Sequence, residues 1–336
     1  MTTFLVILFV VVASSLGLLA LNELYRHTNA YRNQFKDILK FKHLATVPDK
    51  SVDVIVLGSN APKFAFDFSE IQGLVCENWA VGPETFEYDF IILKKFCRKL
   101  KHGATVIWPV CPGKFFLDKY GDKSVFVKYY GFLDKEEFPD YDRFQFLKDY
   151  RYPLIFVPMR LKRLIKDITE DKRIELSHNP MSADKVKKDA SWWIHNCWNP
   201  EFGIDIEHMA PLSTKNQKAI DFNIGVLRSA IEFCHANGLH VIFAYLPLTK
   251  ELGSYFSTEY VESQMTRYVK AAIGGQDIPL VDYMKDGRFQ DYDLYINSFF
   301  MNRKGARAFT NAFVKENFSN QEYYVRQNDA SCEKHD

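Results

Sequence analysis

Ser51–Asn60 reads SVDVIVLGSN, and Val52 to Leu57 within it is an apolar run closed by Gly58-Ser59. A short, continuous, β-branched run of this kind is how a strand buried on both faces of a parallel sheet reads. Open α/β folds place their chemistry just past the carboxyl ends of such strands. Ser59 is thereby delivered to the edge where a hydroxyl could act. A second stretch read with it, Asn297–Ala306, is NSFFMNRKGA and holds no histidine.

Outward from this strand, strands and helices alternate. Gly73–Asn78 is read as a second strand. Glu84–Lys101 has helical spacing in Tyr88, Ile91, Ile92, Lys95 and Phe96, and Gly103 stops it before a third strand, Ala104–Val110. Ser213 caps a helix that ends at Asn237-Gly238. Leu239–Leu246 is a fourth strand, Val261–Ile273 a helix, Pro279–Tyr283 a fifth strand and Arg303–Glu316 the last helix. The fold class expected is α/β: a three-layer α/β/α sandwich on a mainly parallel five-stranded sheet.

Cys111–Pro211 breaks that rhythm with FVKYYGF, YDRFQFLKDYRY and SWWIHNCWNPEFG. Roughly 100 residues between two core elements is too long for a loop, so an inserted subdomain or lid is expected at the carboxyl edge. Phe4–Leu21, FLVILFVVVASSLGLLAL, is an uncharged run of 18 residues. At about 1.5 Å per residue it covers about 27 Å, close to the hydrocarbon thickness of a bilayer. No Lys or Arg precedes it and no small-x-small site follows, which favours an uncleaved anchor over a signal peptide. The organisation expected is an anchor over residues 1–22, a stalk over 23–50, the α/β domain over 51–110 and 212–318, the insertion over 111–211 and a polar tail over 319–336.

The 336 residues carry a net charge of +1, so composition gives no reason to propose nucleic acid as a partner. The membrane is the one partner that composition indicates. Six cysteines show no CxxC pair and no zinc spacing, and they are read as buried small hydrophobes. Neither a metal nor a cofactor is expected. The flank after Leu21 carries Arg26, Arg32, Lys36, Lys40 and Lys42, a bias that would hold the body of the protein in the cytoplasm.

VIVLGSN, NWAVGPET, a helix containing EYD, and NSFFMNRKGARAFT together resemble the SGNH (GDSL-like) hydrolase superfamily. They are most similar to membrane-anchored bacterial members associated with cell-surface polysaccharides and their O-acylation. The resemblance covers roughly Val52–Lys101 and Ser213–Phe318 and does not extend to the insertion. It implies an SGNH/flavodoxin-like sheet, an extracytoplasmic domain against the charge bias, and polysaccharide with a membrane-bound acyltransferase as partners.

Laid on the motifs, Ser59 occupies the nucleophile's place. Asn297 stands at the usual Asp and Phe300 at the usual His, while Asn60, Asn78, Gly82, Pro83 and Asn302 fill the remaining positions as candidate binding residues. Pro83 falls where a glycine N–H would help hold the oxyanion, and proline has none to donate. Losing one such donor typically costs about 10²–10³ in rate. Phe300 cannot accept the serine proton.

Other histidines could serve as base only from the carboxyl edge. His102 and His240 flank the starts of strands, whereas His178, His195 and His208 lie in the insertion, with His195 in the most site-like company. Asp286, Asp291 and Asp293 are read as solvated loop acids. Trp192, Trp193 and Trp198 are either subdomain core or a stacking surface for sugar rings. Two functions follow as expectations. One is a catalytically degenerate SGNH-like protein acting in surface-polysaccharide biosynthesis or modification. The other is an active serine esterase or O-acyltransferase that uses Ser59 with a non-standard base.

Overall fold

The computed structural model describes residues 2–28, 31, 36–162 and 182–318. They fall into two compact units, Met1–Val47 with Tyr120–Ser177, and Pro48–Lys119 with His178–Asp336.

In the first unit, α1 (Thr2–Arg26) contains the apolar run and is long and apolar enough to cross a membrane. Its run is exposed, but Asn22 and Tyr25 near its end are buried, as is Phe41 of α2 (Lys36–Thr46). Phe41 stacks on Phe132 with ring centroids 4.0 Å apart. Around that pair gather Phe126, Tyr129, Tyr130 and Phe138. Edge-on and tilted aromatic contacts of this kind let a short, helix-poor segment build a core. The span read as one insertion, 111–211, is therefore divided. Its aromatic middle packs with the N-terminal helices, whose stalk residues Tyr25 and Phe41 it buries, and its two ends belong to the α/β unit.

The second unit is built on β1 (Val52–Val56), β2 (Cys76–Asn78), β3 (Leu100–Pro109), β4 (His240–Tyr245) and β5 (Leu280–Asp282). All neighbours pair in parallel in the order β2-β1-β3-β4-β5. Alternation along the strands sends Val54, Val56, Ile107 and Ala244 to one face. There they meet α3 (Asn60–Ala65) and Phe309, Phe313 and Val314 of α8 (Arg303–Phe318). Against the other face lie α4 (Phe86–Phe96) and α6 (Thr214–Ala236), beside α7 (Arg267–Ile273). The result is an all-parallel sheet with helices on both faces.

Local signals set several boundaries. Ser213 Oγ accepts the Asn216 N–H at 3.1 Å, capping α6. Gly103, with φ near 80°, lets β3 begin earlier than the sequence indicated, and the β1–β3 register shifts between Val52 and Val54. Within His178–Asp336, α5 (Ala183–Trp192) continues into a π-turn over Trp193–Trp198.

Candidate functional site

Ser59 sits three residues beyond the last residue of β1 and starts α3. Gly58 before it has φ near 112°, and a Cβ there would lie 2.8 Å from Pro62 Cγ, so glycine is required for the turn. Val81 N–H donates to Gly58 O at 2.8 Å and draws the NWAVGPET segment alongside. Ser59 Oγ accepts the Glu84 N–H at 3.1 Å. Glu84 supplies the first backbone donor after Pro83, and here that donor meets the serine oxygen itself.

The other motif positions are committed to structure. Asn78 donates to Pro62 O and Phe66 O, each at 3.1 Å, and accepts the Ala80 N–H at 3.1 Å. Its amide thus closes the carboxyl end of α3. The Asn60 side chain lies against Gly82, where a Cβ would fall 1.6 Å from Asn60 Oδ1. Gly82 and Pro83 are joined by a cis peptide. Asn302 Oδ1 accepts the Gly305 N–H at 2.9 Å, holding the first turn of α8, while its amide donates to Asp293 O at 2.7 Å.

Asn297 Oδ1 accepts the N–H groups of Phe299 and Phe300 at 2.9 and 2.6 Å. It shapes its own loop, as a short polar side chain does in a turn. Phe300 lies in an aromatic group, with ring centroids 5.0 Å from Phe64, 5.6 Å from Trp193 and 4.7 Å from Phe299. A ring that packs on three others has an apolar role. Asp189 of α5 fixes the same loop: its Oδ2 accepts from Ser298 N at 2.9 Å and Ser298 Oγ at 2.6 Å.

Near Gly58 lies a buried ion pair. Lys114 Nζ is 2.5 Å from Asp89 Oδ2, which also accepts the Trp108 indole N–H at 3.1 Å. The same ammonium is 4.4 Å from the Phe86 ring centroid and 3.8 Å from where a Cβ on Gly58 would stand. Burial pushes the neighbouring Cys111 thiol up to about 11, with Lys114 acting in the opposite sense, which favours the neutral thiol. Neither Lys114 nor Asp189 was singled out from sequence, and Asp89 entered only as the last residue of the EYD motif. For Asp89 a signal existed: it shares an inward helical stripe with Phe86, Leu93 and Phe96, where a lone acid needs a partner.

The described histidines have other partners. His195 Nε2 is 3.4 Å from Glu207 Oε2, and its ring meets Tyr255 edge-on at 5.9 Å. His208 pairs with Asp205 at 2.9 Å on the surface. His102 packs at Gly238 and His240 opens β4, while His178 lies outside the described residues. Among the described residues, no imidazole is hydrogen-bonded to Ser59 Oγ. Asp286 is tied to Arg288, Asp293 to Lys304, and Asp291 accepts a turn N–H. Trp198 is buried against Phe256 and Phe299, whereas Trp192 is exposed. Among the described residues no group of three or more His, Cys, Asp or Glu is placed to hold a metal ion.

The Glu84 N–H is engaged by the Ser59 oxygen, and among the described residues no general base is hydrogen-bonded to that hydroxyl. No family model matches this chain, and no curated protein matches it.

Proposed function

We propose that this chain is a membrane-anchored SGNH-hydrolase-like protein whose Ser59 site binds and does not cleave, acting in the biosynthesis or O-acyl modification of cell-surface polysaccharide. The soluble part lies on the extracytoplasmic side, with α1 as anchor, and the partners are the polymer and a membrane-bound acyltransferase.

One observation carries the reading. The residue at the base's position, Phe300, is packed among Phe64, Trp193 and Phe299, and so has a structural occupation that a histidine relay would not need. Two features agree with it. Asn297 spends its carbonyl on its own loop, and Asn78 spends its amide on α3, so neither is free for an imidazole or an oxyanion. Exposed Trp192 offers a face on which a sugar ring could stack.

The test is turnover of a small acetyl ester and labelling by a fluorophosphonate, with wild type, Ser59→Ala and Phe300→His in parallel. All three are expected to be inactive, because restoring one member of a catalytic unit recovers little of its rate. Surface-polysaccharide output is expected to survive Ser59→Ala and to fall when the whole chain is deleted. Wild-type turnover that vanishes in Ser59→Ala would establish the competing reading, an active serine esterase or O-acyltransferase. His195, His178 and His208 would then be the groups to examine as its base.

A further inference from the structure

The first unit has a polar end to its apolar helix, and that end is occupied. The uncharged run of α1 stops at Leu21, and the next residue, Asn22, is 2% exposed. Its amide donates to Arg151 O at 3.1 Å, and its carbonyl accepts the Leu154 N–H at 3.1 Å. Tyr31 OH donates to Tyr150 O at 2.7 Å, and the Arg26 guanidinium lies 5.8 Å from the centroids of both tyrosine rings. Backbone 150–154 is therefore held within one side chain's length of the point where the apolar run ends.

The surface beside that tether is apolar. Outside α1, nine large hydrophobic side chains are exposed among the described residues, and five of them lie between Phe144 and Leu161. They are Phe144 at 61%, Ile155 at 38%, Phe156 at 42%, Met159 at 68% and Leu161 at 40%. Phe144 and Phe156 meet edge-on with centroids 5.7 Å apart, so two rings form one patch. A concentration of this kind marks a contact surface, where scattered single residues would not. Over Phe144–Lys162 the chain is basic: Lys148, Arg151, Arg160 and Lys162 stand against one acid, Asp149, which Arg160 already pairs at 2.5 Å.

We propose that Phe144–Lys162 is a second membrane contact, seated in the lipid headgroup region of the leaflet in which α1 ends. Its exposed apolar side chains reach the acyl boundary, and Lys148, Arg151 and Lys162 meet lipid phosphates. Continuity selects lipid over a protein partner. Whatever surrounds the carboxyl-terminal end of the α1 run also surrounds a segment hydrogen-bonded to Asn22, and interfacial segments bury their apolar faces about 5–10 Å below the headgroups. Arg and Lys beside such a face gain from anionic lipid. The unit would then be restrained against tilting about its single helix, because the contact lies to one side of the helix axis.

The proposal rests on α1 being the anchor, which alkaline carbonate extraction of membranes tests separately. The full-length chain is made with photoreactive benzoylphenylalanine replacing Phe144, Phe156 or Met159, or replacing the exposed Phe222 on α6 as control. Each is reconstituted into nanodiscs of phosphatidylcholine with phosphatidylglycerol, irradiated and analysed by mass spectrometry. Phospholipid adducts several-fold above the Phe222 level are expected at all three positions. Adducts at the Phe222 level, or adducts joining two copies of the chain, in a protein that resists carbonate extraction would overturn the proposal and leave the anchor standing. A chain released by carbonate would refute the anchor itself, and the proposal with it.

Discussion

Lys114→Met tests whether the ion pair near Gly58 is a unit. Asp89 is 0% exposed and Lys114 is 7% exposed, with 2.5 Å between Nζ and Oδ2. Replacing the ammonium by a thioether of similar length leaves a carboxylate whose remaining partner is the Trp108 indole N–H at 3.1 Å, while its Oδ1 is already buried without a hydrogen-bond partner. Breaking a buried pair from one side costs about 3–5 kcal/mol, because the orphaned charge keeps its desolvation penalty. The lost contact between the ammonium and the Phe86 ring adds about 0.5–2 kcal/mol. Asp89→Asn combined with Lys114→Met removes both charges and keeps an acceptor for Trp108. It should therefore recover most of that loss, as neutral replacements of buried pairs commonly do. All five tryptophans, Trp79, Trp108, Trp192, Trp193 and Trp198, lie in the α/β unit, so their fluorescence in a urea titration of the full-length chain reports that unit. With a urea slope of about 3 kcal/mol per molar, the single variant should lower the midpoint by more than about 1 M. A midpoint within experimental error of wild type, or a double variant as unstable as the sum of its singles, would refute the reasoning.

Further outcomes follow from other contacts. Asp189→Ala frees Ser298 N–H and Oγ together, and at about 1.5–3 kcal/mol for a hydrogen bond to a charged group it should loosen the Asn297–Phe300 loop. Reduced near-ultraviolet dichroism from Trp193, which touches Phe299 and Phe300, checks it, and an unchanged spectrum would contradict it. Gly305→Ala places a Cβ 2.1 Å from the Leu294 carbonyl oxygen, a backbone atom that cannot swing aside. A loss of about 1–3 kcal/mol or more is expected in the same urea assay. The Arg288 guanidinium holds the Asp286 and Glu316 carboxyls below their usual range. Folded values below unfolded ones mean that this stabilisation is complete above about pH 5 and is lost as pH falls through about 4 and below. The groups are solvent-accessible, so the effect is small. Arg288→Gln should show a shallower fall in melting temperature over that interval, and parallel acid limbs would count against it.

The placement of Ser59 was legible because its signals are local. An apolar run of strand length, a Gly-Ser turn after it, and the caps at Ser213 and Asn237 each act on neighbouring backbone, and the α/β alternation follows from their order. The strand boundaries moved by a few residues where Gly103 admitted a bulge, a compensation no periodicity expresses. Asn297 and Phe300 could be located from the motif frame, but not what Phe300 touches. Its partners Phe64 and Trp193 come from α3 and from the turn after α5, far apart in the chain.

What the sequence alone determined is the material set by period, run length and turn chemistry: an apolar helix, five strands and a serine at the carboxyl edge of the first. Tertiary structure decided the pairings across long separations. Lys114 reaches Asp89 over 25 positions and Asp189 reaches Ser298 over 109. The aromatic residues 126–150 pack with the N-terminal helices, because Phe41 and Tyr25 had apolar surface that their own helices could not bury. Burial is a property of two surfaces brought together, and a chain read one residue at a time displays only one of them.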